Sequence, residues 1–166
     1  MSHEALLQTH AEVAIALAGF ASVVAALSRP LDAFARQRFL SLLALSLIQV
    51  LGCLLPLWGA DLLARSGAAW RLMSAALLVL NLARLWYLVV LPGRTLDRHV
   101  RRILGPFVNG LVWTVGYTML LLLLANTLGF PFQPSFHLYY AALLAGLLVG
   151  FALFADVAID VERTAG

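Results

Sequence analysis

Charged side chains are scarce in this chain, lysine is absent and cysteine occurs once. A charged fraction of 11% against a hydrophobic fraction of 63%, with a mean hydropathy of +0.94, excludes a soluble globular domain, in which about a quarter of residues are charged. A bilayer is the solvent that fits. The lone Cys53 excludes an intrachain disulfide and a cysteine zinc site; inside an apolar run it reads as inert packing. No Lys or Arg precedes the first apolar run, so the basic flank of a cleavable signal is missing and Ala14–Ala26 reads as a retained anchor. HExxH, GxSxG and a glycine-rich phosphate loop are absent, as is a carboxylate pair at one depth of a span. No catalytic residue, metal site or cofactor is therefore expected. The net charge of +3 sits in short loops without a basic stripe, which points to anionic lipid and away from nucleic acid.

What is present is a series of apolar runs, each near the ~20 residues that a crossing helix needs. They cover Ala11–Ser28, Phe39–Leu62, Ala68–Leu91, Gly105–Leu128 and Phe136–Ala155, separated by Arg29-Pro30, Arg65-Ser66-Gly67, Pro92-Gly93 and Gly129-Phe130-Pro131. The expected fold is all-α: a single domain, 1–166, forming an integral membrane bundle of five transmembrane helices. The first run is short and starts just after Glu12, so four spans plus an interfacial first helix is the alternative.

All 11 basic residues are arginine and they are unevenly spread. Arg29, Arg36, Arg38, Arg94, Arg98, Arg101, Arg102 and Arg163 fall on one side of the spans, and only Arg65 and Arg71 on the other. Loops rich in Arg stay cytoplasmic, which predicts an N-out, C-in protein. Trp58, Trp70, Phe130, Phe132, Tyr139 and Tyr140 would mark the outer interface, and Trp86, Tyr87 and Phe107 the inner one. In Thr95–Leu104, apolar Leu96, Val100, Ile103 and Leu104 oppose Arg98, Arg101 and Arg102, predicting a basic amphipathic helix on anionic inner-leaflet lipid.

Polar residues inside spans must be compensated by a partner. Gln49 and Asn81 lie at similar depth, so an interhelical hydrogen bond between them is the economical expectation, with a solute site the sharper one. Arg84 either snorkels or pairs with Asp156 at the end of the fifth span; binding an anionic lipid or substrate is the functional alternative. Glu12, His10 and His137 share the outer level, as interfacial polar residues or as a proton-handling group. Ala14, Ala18, Ser22 and Ala26 recur every four residues, as do Ala142, Gly146 and Gly150. These small-residue rows suit close packing, within the chain or between chains. Asn109, Trp113 and Tyr117 share a stripe read as interior packing.

The runs Ala11-Glu12-Val13-Ala14 and Ala18-Gly19-Phe20, with Leu55-Pro56-Leu57 and Trp70-Arg71, resemble short bacterial multi-pass membrane proteins. The resemblance spans most of the first three helices and brings no activity, cofactor or partner with it. An arginine-only, Ala- and Leu-rich composition also suits a high-GC bacterium, so the inner membrane is the expected location. Two functions are expected in order. The first is a non-enzymatic subunit that packs into a homo-oligomer or against a larger membrane partner. The second is a small transporter or channel element for a proton, ion or small solute, lined by Gln49, Asn81 and Arg84 and with Glu12 as a proton site.

Overall fold

The computed structural model describes residues 2–27, 33–58, 67–87 and 106–165. They form helices α1 (His3–Leu27), α2 (Ala33–Trp58), α3 (Gly67–Leu85), α4 (Pro106–Leu128) and α5 (Phe136–Ala165). The fold is all-α, as the hydropathy requires. Four helices are long and apolar enough to cross a membrane, through His3–Val24, Phe39–Leu57, Ala68–Leu85 and Phe136–Ala155. The shorter apolar stretch, Val112–Leu128, is on α4, whereas the sequence alone points to α1 as the short member. α1 is longer because it starts at His3 and not at Ala11. Ser2 Oγ accepts the N–H of Ala5 at 3.3 Å, and Glu4 lies in the first turn, a capped start that the helix dipole favours. α5 likewise continues through the acidic stretch to Ala165. Thr95–Leu104, with Arg98, Arg101 and Arg102, lies outside the described residues.

Side-chain pairings show how the helices run. His10 meets Gln49, Arg84 meets Ser41, Asn126 meets Ser74, and Tyr139 meets Gly52. Each pairing joins an early part of one helix to a late part of the other, so these neighbours are antiparallel. Helices α2, α3, α4 and α5 close a ring, and α1 lies in the groove between α2 and α5. α1 runs parallel to α5: His3 stacks on Phe136, and His10 lies edge-on to Tyr140.

The seam that α1 buries is Leu7, His10, Ala14, Leu17 and Ala21, spaced three and four apart as a packing helix requires. The expected row Ala14, Ala18, Ser22 follows it only at the start. Ala14 is buried, Ala18 is half-buried, and Ser22 is exposed with its hydroxyl donating to the Ala18 carbonyl at 2.8 Å. Residues four apart drift about 40° around the helix at each step, so a row of four-residue steps leaves the interface. On α5 the corresponding row stays inside. Gly146 is covered by Gln49 and Met119, and Gly150 by Leu17 and Leu42. The GxxxG thus packs against helices of the same chain.

Pro56 sits inside α2. It has no N–H, so the Gly52 carbonyl one turn earlier loses its helical donor. The Tyr139 hydroxyl of α5 donates to that carbonyl at 2.6 Å. Tyr139 is therefore fully buried, a correction to its expected place in an outer aromatic belt: its ring is drawn inward to satisfy a backbone oxygen that apolar surroundings cannot. Trp70 packs on it, with ring centroids 5.5 Å apart. Nearby, buried Asn126 near the end of α4 joins three elements. Its amide donates to Ser74 Oγ at 2.7 Å, and its Oδ1 accepts the Ser135 N–H at 2.8 Å, just before α5 begins. Between α4 and α5, Gly129 takes φ +71°, the left-handed cap that glycine adopts without strain.

Candidate functional site

A cleft of about 90 Å³ opens where α3, α4 and α5 meet over α2. Its polar wall is Ser41, Asn81 and Arg84; most of the rest is apolar, including Leu120, Val149 and Leu153. α3 places Asn81 and Arg84 three residues apart, hence on one helix face. Arg84 Nη1 donates to Ser41 Oγ at 2.8 Å, while its buried Nε has no hydrogen-bond partner among the described residues. Asn81, only 2% exposed, donates through Nδ2 to the Leu77 carbonyl at 2.9 Å, and its buried Oδ1 is also unpartnered. A permanently charged guanidinium held in apolar surroundings by one neutral hydroxyl among the described residues is under-compensated by them. Chemically this is a wall that seeks an anion.

The rim is aromatic. Trp113 and Tyr117 on α4 stack at 5.7 Å and 29° and line the cleft. They are 37% and 56% exposed, which corrects the expectation of interior packing; the side chain of Asn109 lies outside the described residues. Aromatic residues with one polar edge suit a boundary between apolar and polar surroundings, and here that boundary is the mouth of the cleft. Gly116, also on the wall, faces open space: a Cβ there would meet nothing within 4 Å.

The expected Gln49–Asn81 clasp does not form. Asn81 bonds within its own helix, and Gln49 is taken up by α1, its Oε1 accepting the His10 Nε2 proton at 3.1 Å. The physical reason is the groove position of α1, which brings His10 against α2. Gly146 provides the room, since any Cβ at that position would collide with the Gln49 amide. His10 is buried, at 3% exposure, and its Nδ1 has no hydrogen-bond partner among the described residues.

The expected outer polar cluster is also dispersed. His137 is exposed beside His3, ring centroids 6.1 Å apart, while His10 lies deeper against Tyr140. Glu12 is exposed on α1, where its Oε1 accepts from Gln8 at 3.2 Å. Among the described residues no group of three or more His, Cys, Asp or Glu is placed to hold a metal. The side chain of Asp156, the expected partner of Arg84, lies outside the described residues.

Sequence reasoning found Asn81 and Arg84 but missed Ser41 and the aromatic rim. Ser41 lies at the depth of Arg84, and a hydroxyl at matching depth on an adjacent span was the available signal. Comparison with models of protein families, with curated proteins and with solved structures finds no match to this chain.

Proposed function

We propose that this chain is a non-enzymatic five-span protein of the bacterial inner membrane, N-out and C-in. Its working part is the Arg84 cleft, a binding or passage site for an anionic group. The observation that carries the reading is an intramembrane arginine beside Asn81, each with a buried polar atom that no described residue satisfies. Apolar surroundings make such atoms costly, so a ligand that satisfies them is held strongly. The test is a native mass spectrum after gentle extraction into lipid nanodiscs, followed by titration of small anions. A bound anionic species that disappears in Arg84→Gln is expected. No anion binding to the wild type, with the variant indistinguishable from it, would sink the reading.

The second reading is the assembly subunit, a homo-oligomer or a component of a larger membrane complex. What favours it is the outward face of α1, where Ile15, Phe20 and Val23 are exposed on the same helix as the exposed carboxylate of Glu12. Gly146 and Gly150 do not probe this reading, because both are covered within the chain. Substitution of Glu12 by Leu and of Phe20 by Ala is the relevant pair, with oligomeric state by crosslinking as the readout. An unchanged state in both variants counts against assembly through α1.

Orientation has its own check. With Cys53→Ala removing the one native thiol, Arg98→Cys should resist a membrane-impermeant maleimide in intact cells, and Ser66→Cys should react. The reverse pattern would invert the assigned topology, since the arginine bias fixes both sides at once.

A further inference from the structure

We propose that the Arg84 cleft takes a phosphate monoester head carried on an aliphatic tail. This rests on the anion-site reading above and names its ligand class. Three requirements on one wall narrow the chemistry. Arg84 requires an anionic acceptor, because its guanidinium is charged and, among the described residues, its Nε has no hydrogen-bond partner and Ser41 Oγ takes up only Nη1. Asn81 requires the opposite: Nδ2 is already given to Leu77, so what remains is Oδ1, an acceptor that needs a donor. With the Leu77 bond kept, Oδ1 is the one atom of that amide still to be satisfied among the described residues.

Few head groups meet both needs. An ionised carboxylate or a sulfate monoester only accepts hydrogen bonds and leaves Asn81 Oδ1 empty. An ammonium head donates but is repelled by Arg84. A phosphate monoester in its singly charged form does both, through one hydroxyl and its remaining anionic oxygens. Asn81 and Arg84 are neighbours on one helix face and line the same cleft, so one head group serves both.

The tail follows from the remaining lining. Opposite the polar wall lie Val112, Leu120, Val149 and Leu153, which offer nothing to a second polar group and suit methylenes. The cleft of about 90 Å³ holds roughly half a dozen water-sized centres. That is enough for a head and the first few carbons. A longer tail leaves past the exposed Trp113–Tyr117 stack, along the side where Gly116 lines the cleft. The open space over Gly116 keeps that way clear.

The shared chemistry has two sources: the head of a membrane lipid such as a phosphatidate, and a free single-chain alkyl phosphate. The experiment uses the full chain in nanodiscs of zwitterionic lipid at a pH of about 5.5, where a phosphate monoester keeps one hydroxyl. Octyl phosphate, octyl sulfate and inorganic phosphate are titrated separately. Octyl phosphate should bind one per chain and at least about tenfold more tightly than either comparator, the factor that one hydrogen bond of ~1.4 kcal/mol commands. Gly116→Leu should weaken octyl phosphate at least about tenfold, since its side chain fills the open path. That variant meets no neighbour at its Cβ and replaces a helical glycine, and an unchanged helical circular dichroism spectrum checks that its fold is kept.

The failures separate. If inorganic phosphate binds as well as octyl phosphate and Gly116→Leu changes nothing, the amphiphile is overturned and the anion site stands. Equal binding of octyl sulfate overturns the requirement for a donor, and with it the phosphate monoester. If no anion binds, both the ligand class and the site fall. With a positive result, nanodiscs doped with phosphatidate decide the source: displacement of octyl phosphate identifies the lipid, and undisturbed binding identifies the free amphiphile.

Discussion

Gly146→Ala destabilises the protein by about 2–4 kcal/mol, although alanine is the better helix former. Removing a glycine from a helix interior gains about 1 kcal/mol, so the sign is decided by what the new methyl meets. It meets the amide of Gln49. Overpacking a filled interior costs about 1–3 kcal/mol. Displacing Gln49 also breaks its bond to buried His10, leaving polar groups unpaired at about 1–3 kcal/mol more. Met119 Sδ, 3.0 Å from the same point, closes the other side. Unfolding by sodium dodecyl sulfate titration from mixed micelles measures the change. Gly146→Ala/Gln49→Ala should recover the overpacking part of it, because the shortened side chain vacates the volume while the bond to His10 stays lost. A single variant as stable as wild type, or a double variant no better than the single, would show that the collision is relieved elsewhere.

The second large effect concerns Pro56 and Tyr139. Tyr139→Phe removes one oxygen and leaves the ring, yet it should cost about 1–3 kcal/mol, because the Gly52 carbonyl then has no donor in a buried site. Pro56→Ala changes that answer. An alanine at 56 restores the N–H that bonds to residue 52, so the hydroxyl is no longer needed there. In the Pro56→Ala background the cost of Tyr139→Phe should fall by at least half. A double-mutant cycle in the same unfolding assay reads the coupling directly. If the two changes add, the hydroxyl and the missing N–H are unrelated, and the 2.6 Å contact carries no weight.

Both predictions turn on partners that lie far apart in sequence, and that distinction separates what was legible from what was not. The need for cover was legible: Gln49 and Asn81 are polar residues inside apolar runs, and both are 2% exposed. Their partners were not, because depth along a span says nothing about which side of the helix faces which neighbour. Gln49 found His10 across one groove, and Asn81 found its own backbone beside another. Small-residue rows were legible as close-packing faces, but the row on α1 leaves the interface by Ser22 while the row on α5 does not. Aromatic depth misled twice. Tyr139 went inward to a carbonyl that Pro56 had stranded, and Trp113 and Tyr117 turned outward over a cleft.

The sequence by itself determined the class of the fold. Its apolar runs form helices, as backbone polar groups without water must bond internally, and its uneven arginines are what the proposed orientation rests on. Only the tertiary structure decided the candidate site. A cleft at Arg84 exists because α3, α4 and α5 meet without filling the space over Gly116, and because α2 supplies one hydroxyl and no carboxylate at Ser41. That is a property of side chains converging from four helices, and local sequence encodes the path of each helix without encoding the gap left between them.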